Sequence, residues 1–316
     1  MVRIFILWSV FGFKNSAERI VDLRHSLSRT ALFLLRRMVR YGPLPVLLVV
    51  AKGLCALRLT GRLFHLRNAV ANENYRCLTG QNGRIDVAWI AVRRRLLEEA
   101  ATWGQNAGLL QQIRECTAEL EAVVAPLHQQ KTPCILAPLH TVSDVLAAIV
   151  GASVTPGKAC ALVSSSAELY NARARALGGI ALSYCSIHQE NNALASSLMA
   201  HITEVATGQQ NMIIFPDISP DYTLQAEGSL AAKLPCRLFG RSAKLHSGVV
   251  RLAGAVAAQV VFYHLSYDSR LRIHIHPPVS SLNVAGVLPR VIESTLREHP
   301  QEWLLWHSHS LYFINH

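Results

Sequence analysis

The chain has 316 residues, of which 51% are hydrophobic and 16% charged, and its formal net charge is +11. That apolar content supports a substantial core in one large or two small domains and excludes intrinsic disorder. The positive excess is local, because residues 1 to 97 carry 17 of the 31 Lys and Arg but 4 of the 20 Asp and Glu, and the remainder is near balance.

A basic region suits nucleic acid, an anionic membrane surface or acidic ligands, and the residues beside it decide. Here they are apolar: "MVRIFILWSVFGF" and "YGPLPVLLVVAKGLCALRL" mix Leu, Val, Ile, Phe and Trp with Arg and Lys. Residues 1–30 therefore read as an apolar, basic segment that associates with a membrane surface. A core helix with a solvated basic face is the competing reading. Lys14, Pro43, Pro45 and Lys52 interrupt both runs before they reach the roughly 20 apolar residues of a spanning helix. No small-residue cleavage site follows the first run, so a cleaved signal is not expected. Seven scattered cysteines without a CxxC pair suit buried free thiols in a reducing compartment.

From about Ser28 to Leu127 apolar residues recur every three or four positions, which predicts helices through "RNAVANENYRCLTG", "DVAWIAVRRRLLEEAATW" and "LLQQIRECTAELEAVVAPL". The pattern then changes to short apolar runs alternating with helical stretches. Strands are expected over residues 134–138, 159–164, 180–185 and 211–215, with helices over 143–151, 167–177, 191–207 and 245–257. "QVVFYHLSYDSRLRIHIHPP" reads as two antiparallel strands turning at Tyr267, Asp268 and Ser269. The expected fold class is α/β, a mixed central sheet flanked by helices behind a helical, membrane-proximal front.

Candidate chemistry gathers where strands end. In "CILAPLHTVSDVLAAIV" an apolar run stops at His140, the edge of an open α/β sheet where sites form, and Asp144 follows four residues later. On a regular helix that spacing lets a carboxylate reach an imidazole and make it an oriented general base, although a satisfied core histidine gives the same pattern. A second run ends at Asp217 in "IIFPDISPDYT", where Asp221 reads as a loop cap. His264, His274, His276, His307 and His309 lack an accompanying Cys or acidic ligand set, so edge-strand polar residues are expected and no metal site. "LVSSSAEL" lacks the GxSxG elbow. There is no P-loop, no GxGxxG and no aromatic pattern for nucleic acid.

The ordered blocks "YGPLPVLLVVAKGLCALRLTGR", "RNAVANENYRCL", "ILAPLHTVSD", "IIFPDISPD", "CRLFGRSAKLHSGVVRLA" and "REHPQEWLLWHSHSLYF" resemble the bacterial lipid A late acyltransferases, also called HtrB-like lysophospholipid acyltransferases. The resemblance spans about residues 31–313 and makes 31–316 an acyltransferase domain with a glycerolipid acyltransferase-like fold. It implies transfer of a fatty acyl group from an acyl carrier protein or acyl-CoA thioester to a hydroxyl or amine of a membrane lipid or glycolipid; the alternatives are a non-catalytic lipid- or membrane-binding relative, or an acyltransferase tailoring a secondary metabolite or a protein side chain. No cofactor is required, and the implied location is the cytoplasmic face of the bacterial inner membrane, peripheral or monotopic. The family's catalytic dyad falls on His140 and Asp144, with Val145 at the position where the family carries its acid. Substrate-binding positions fall on Asp217, Gly240, Arg241, Ser164 and Ser247, and Arg241 or a backbone N–H is the expected oxyanion donor.

Overall fold

A computed structural model describes residues 33–163, 181–186, 191–218 and 233–308. The front section is helical: α1 (33–41), α2 (Leu44–Ala56), α3 (Arg62–His65), α4 (Asn68–Thr79), α5 (Val87–Ala101) and α6 (Ala107–Gln129). Short polar side chains start the longer ones. The Asp86 carboxylate accepts from the Trp89 N–H to open α5, and Asn106 accepts from the Leu109 N–H to open α6. The same Asn106 donates through Nδ2 to the Val39 and Gly42 carbonyls, tying the end of α1 to the start of α6. α6 runs two residues beyond the expected Leu127, although Pro126 in its last turn has no N–H to donate. Its carbonyl still accepts from the Gln130 N–H.

Behind this front come β1 (Cys134–Pro138), α7 (Asp144–Ala152), β2 (Lys158–Val163), β3 (Ala181–Ser186), α8 (Asn191–Ala206) and β4 (Asn211–Ile213). Then follow β5 (Lys233–Leu238), β6 (Arg241–His246), α9 (Gly248–Ala255), β7 (Gln259–Asp268), β8 (Arg270–Ile275), β9 (Val279–Ser280) and α10 (Val284–Glu298). The seven-stranded sheet runs β3-β2-β4-β1-β7-β8, with β9 also on β7. Strands β3, β2, β4, β1 and β7 are parallel, whereas β8 and β9 pair antiparallel with β7. The mixed α/β sheet and its antiparallel hairpin edge therefore stand as the sequence pattern predicts. The strand β5 and the hairpin it makes with β6 were not expected, and the predicted helix over 245–257 is shorter because β6 occupies residues as far as His246. The predicted helix over 167–177 and the segment 1–30 lie outside the described residues.

Alternation along the central strands divides the core in two. Ile135 and Ala137 of β1, with Val260 and Phe262 of β7, face a layer containing α10, Trp303 and Trp306. Leu136, Val261 and Tyr263 face α6 and α7. Gly151 permits the second layer to close, because a Cβ there would stand 2.6 Å from the Tyr263 hydroxyl, which donates to the Ala147 carbonyl at 2.8 Å. None of the seven cysteines is in a disulfide. Among the described residues no helix is long and apolar enough to cross a membrane.

Candidate active site

Strands β1 and β4 are parallel neighbours, and their onward connections diverge. The chain leaving β1 returns to the sheet at β2, beyond β4, whereas the chain leaving β4 rejoins it at β7, beyond β1. Such a reversal opens a crevice at the carboxyl ends of the two strands. His140 follows β1 there, and Asp217 follows β4.

The two residues form a clamp. Asp217 Oδ1 lies 2.8 Å from His140 Nδ1, and its Oδ2 accepts from the His140 backbone N–H at 2.9 Å. The Trp303 indole N–H also donates to Oδ2, at 2.8 Å. Several donors hold a buried carboxylate rigidly in place, and Asp217 is 0% exposed while the His140 side chain retains 18% exposure. The imidazole packs against Phe215, with ring centroids 4.5 Å apart. With Nδ1 turned to the carboxylate, Nε2 is the nitrogen left for chemistry, and it has no hydrogen-bond partner among the described residues.

The turn that follows His140 is sharply constrained. Val142 has φ 55°, a left-handed conformation that costs a β-branched residue about 1–3 kcal/mol. Surrounding bonds hold it there: Val142 N–H donates to the Glu302 carbonyl, Leu304 N–H to the His140 carbonyl, and Leu265 N–H to Thr141 Oγ1. Residues 302–304 thus fasten the His140 backbone and present Trp303 to Asp217. Glu302 is fixed in turn by a two-pronged buried pair with Arg93 of α5, at 3.1 and 2.6 Å.

Burial pushes the His140 pKa down, but the charge of Asp217 and its hydrogen bond push it up, with a smaller upward contribution from Asp144. The net result is a pKa above the ordinary 6.5.

This geometry corrects the expected dyad. Asp144 sits at the first turn of α7 and pairs with Arg94 at 2.6 Å; it makes no hydrogen bond to His140. The i to i+4 rule fails because His140 and Thr141 lie outside the helix, which begins only after Ser143 caps it by accepting from the Leu146 N–H. Arg94 also donates to Glu98, whose Oε1 accepts from Ser143 Oγ, so Asp144 belongs to a network beside the dyad. Asp217, expected to bind substrate, is instead the buried carboxylate that orients His140. Sequence reasoning missed Trp303 and Arg94. Trp303 stands in the "EWLLW" block that carried part of the resemblance, but nothing local in that block links it to Asp217.

Of the remaining candidates, Gly240 and Arg241 lie away from the dyad. Gly240 occupies the β5–β6 turn at φ 76°, and Arg241 begins β6 at the same end. The opposite end of the hairpin approaches the dyad, where His246 N–H donates to the Ile218 carbonyl. Five residue steps along an antiparallel strand separate the two ends by about 17 Å. Arg241 is exposed, and its charge bears on Cys77 of α4, whereas Arg94 is the cation that acts on His140. Ser247 is buried at the start of α9, near the dyad end of the hairpin. Ser164, with Ser165 and Ser166, lies outside the described residues, as do Asp221 and His309. His307 is half-buried, and burial lowers its pKa.

The fold and the clamp define an open α/β protein with a carboxylate-oriented imidazole at the carboxyl ends of its parallel strands. No protein-family model matches the chain, and a comparison with curated proteins finds no match.

Proposed function

We propose that the chain is an acyltransferase of glycerolipid acyltransferase-like fold, similar in kind to the lipid A late acyltransferases, acting at the cytoplasmic face of the bacterial inner membrane. The observation that carries this reading is His140 itself, an imidazole held through Nδ1 by a buried carboxylate, with Nε2 left for an external proton donor. Its donor substrate is an acyl thioester of acyl carrier protein or coenzyme A, and its acceptor a hydroxyl or amine on a lipid or glycolipid.

His140 Nε2 takes the proton as the acceptor oxygen or nitrogen attacks the thioester carbonyl. The tetrahedral intermediate then collapses with cleavage of the C–S bond, and the imidazolium returns the proton to the departing thiolate. Asp217 holds the reactive tautomer and stabilises the imidazolium, as the acidic member of a catalytic triad does. No cofactor enters this scheme.

The front helices support a lipid acceptor. α2 buries Leu44, Leu48 and Cys55 but exposes Val46, Val49 and Val50. Around α3, Leu57, Leu59, Leu63 and Leu66 are each at least 69% exposed. Arg58, Arg62 and Arg67 stand among them. Exposed apolar side chains interspersed with cations fit an anionic lipid interface better than bulk water.

The test is mass spectrometry after incubating the purified chain with acyl carrier protein and coenzyme A thioesters and a bacterial membrane lipid extract, comparing wild type with His140→Ala. An acylated lipid formed only by wild type is the expected result. Thioester consumption that persists in a folded His140→Ala variant would sink the mechanism, and no consumption by wild type would favour a lipid-binding relative without catalysis.

A further inference from the structure

We propose that His264, His274 and His299 form a binding site for one divalent transition-metal ion of the zinc class. The inference does not depend on the acyltransferase reading. The three residues converge from separate elements. His264 of β7 and His274 of β8 are direct cross-strand partners, and His299 ends α10 above them. The His264 and His274 rings stack at 4.7 Å, and the His299 ring lies 5.3 and 4.6 Å from them. One nitrogen from each residue lies within 4.8 Å of the other two.

His264 supplies the decisive observation. It is 2% exposed, and its Nε2 is buried without a hydrogen-bond partner. A buried, unsatisfied nitrogen requires an explanation, and a metal bond to its lone pair provides one. The outer contacts favour the same arrangement. His264 Nδ1 lies 3.2 Å from Thr295 Oγ1, and His274 Nε2 lies 2.8 Å from Ser266 Oγ. If each of these nitrogens carries the proton and donates it to its hydroxyl, the tautomers are fixed with His264 Nε2 and His274 Nδ1 free to ligate, the outer-shell pattern of metal-bound histidines. Imidazole ligands suit Zn²⁺, Co²⁺, Ni²⁺ or Cu²⁺ rather than Ca²⁺ or Mg²⁺. Tetrahedral coordination with bonds of about 2.0–2.1 Å needs donors roughly 3.4 Å apart, so the three rings close inward by about 1.5 Å at most when the ion binds. His274 and His299 are only half-buried and leave the ion a path from solvent. His276, whose ring is 6.0 Å from that of His264 and whose Nε2 is also buried and unpartnered, stands nearest for a fourth position.

The site reaches the dyad through the backbone. The Glu302 N–H donates to the His299 carbonyl, and the Glu302 carbonyl accepts from Val142. An ion joining His299 to the sheet therefore fixes the segment that carries Trp303.

The experiment uses the full-length chain without a polyhistidine tag, freed of metal by chelator and titrated with Zn²⁺ by calorimetry and with Co²⁺ by visible absorption. The expected result is one ion per chain, a raised melting temperature, and affinity at least tenfold weaker in both His274→Gln and His299→Gln. These partly exposed positions are chosen because His264 variants risk unfolding. His128→Gln, remote in sequence from the cluster, should bind as wild type does. Absence of stoichiometric binding, or binding that the two variants leave unchanged while circular dichroism shows them folded, would overturn the site.

Discussion

Replacing Asp217 by Asn tests the clamp at His140 most directly. Two N–H donors, from the His140 backbone and the Trp303 indole, converge on Asp217 Oδ2, so an asparagine must place its carbonyl oxygen there. Its amide NH2 then faces His140 Nδ1, which has to accept rather than donate. The proton moves to Nε2, and the nitrogen required as base becomes a donor. Inverting the tautomer in this way costs about four orders of magnitude in turnover in a catalytic triad, close to 5.5 kcal/mol at about 1.36 kcal/mol per decade. Thioester consumption measures the rate, and nitrogen NMR of the labelled imidazole reads the tautomer and pKa directly. In wild type the His140 pKa lies above 6.5 because Asp217 outweighs burial; in Asp217→Asn burial is left in command and the value falls below 6.5. Asp144→Asn, which breaks a partly exposed pair with Arg94, should cost less than tenfold. The reasoning is refuted if Asp217→Asn keeps the wild-type tautomer and rate while Asp144→Asn loses both.

Further outcomes follow from the same contacts. Glu302→Ala strands the buried Arg93 guanidinium and should lower stability by about 3–5 kcal/mol, measured by urea unfolding, whereas Glu73→Ala on the exposed face of α4 should leave it nearly unchanged. Gly151→Ala should destabilise by about 1–3 kcal/mol through overpacking, and combining it with Tyr263→Phe should cost less than the two separate losses together, since the atom met at 2.6 Å is gone. The raised pKa of His140 contributes stability that is fully present below about pH 6.5 and lost as pH rises through the folded-state value; Asp217→Asn should reverse the sign, so that this contribution grows with pH, in denaturation measured across that range. Flotation with anionic vesicles should fall at least tenfold for Val49→Glu combined with Leu63→Glu, both sites being more than 70% exposed, while circular dichroism stays unchanged.

Local patterning made the sheet legible. β1 has its expected bounds, Cys134 and Pro138, and of the expected turn residues Tyr267, Asp268 and Ser269 only Ser269, at φ 57°, makes the reversal, because Tyr267 and Asp268 still pair with Leu271 and Arg270. His140 was identifiable because an apolar run stopped just before it. Its partner was not, because Asp217 is 77 residues away and Trp303 a further 86 beyond Asp217; only the pairing of β4 beside β1 brings the first two together. Asp144 was favoured because sequence spacing presumes a continuous helix, and the left-handed Val142 breaks that presumption. The shared face of His274 and His276 was readable from alternation along β8, but His264 joined them through strand register and His299 through the place where α10 ends. The β5–β6 hairpin was obscured because Pro235, Gly240 and the charged Arg237, Arg241 and Lys244 break up its apolar runs.

The fastening of His140 by residues 302–304 makes the dyad a report on the integrity of the whole chain. Besides its backbone bonds and one ion pair, the segment buries Trp303, Leu304, Leu305 and Trp306 in the core, so it detaches only as the layer around it opens. Detachment releases Trp303 from Asp217 and frees the strained turn at Val142. On gradual heating, any activity that depends on this imidazole should therefore vanish together with the far-ultraviolet signal of the helices and sheet.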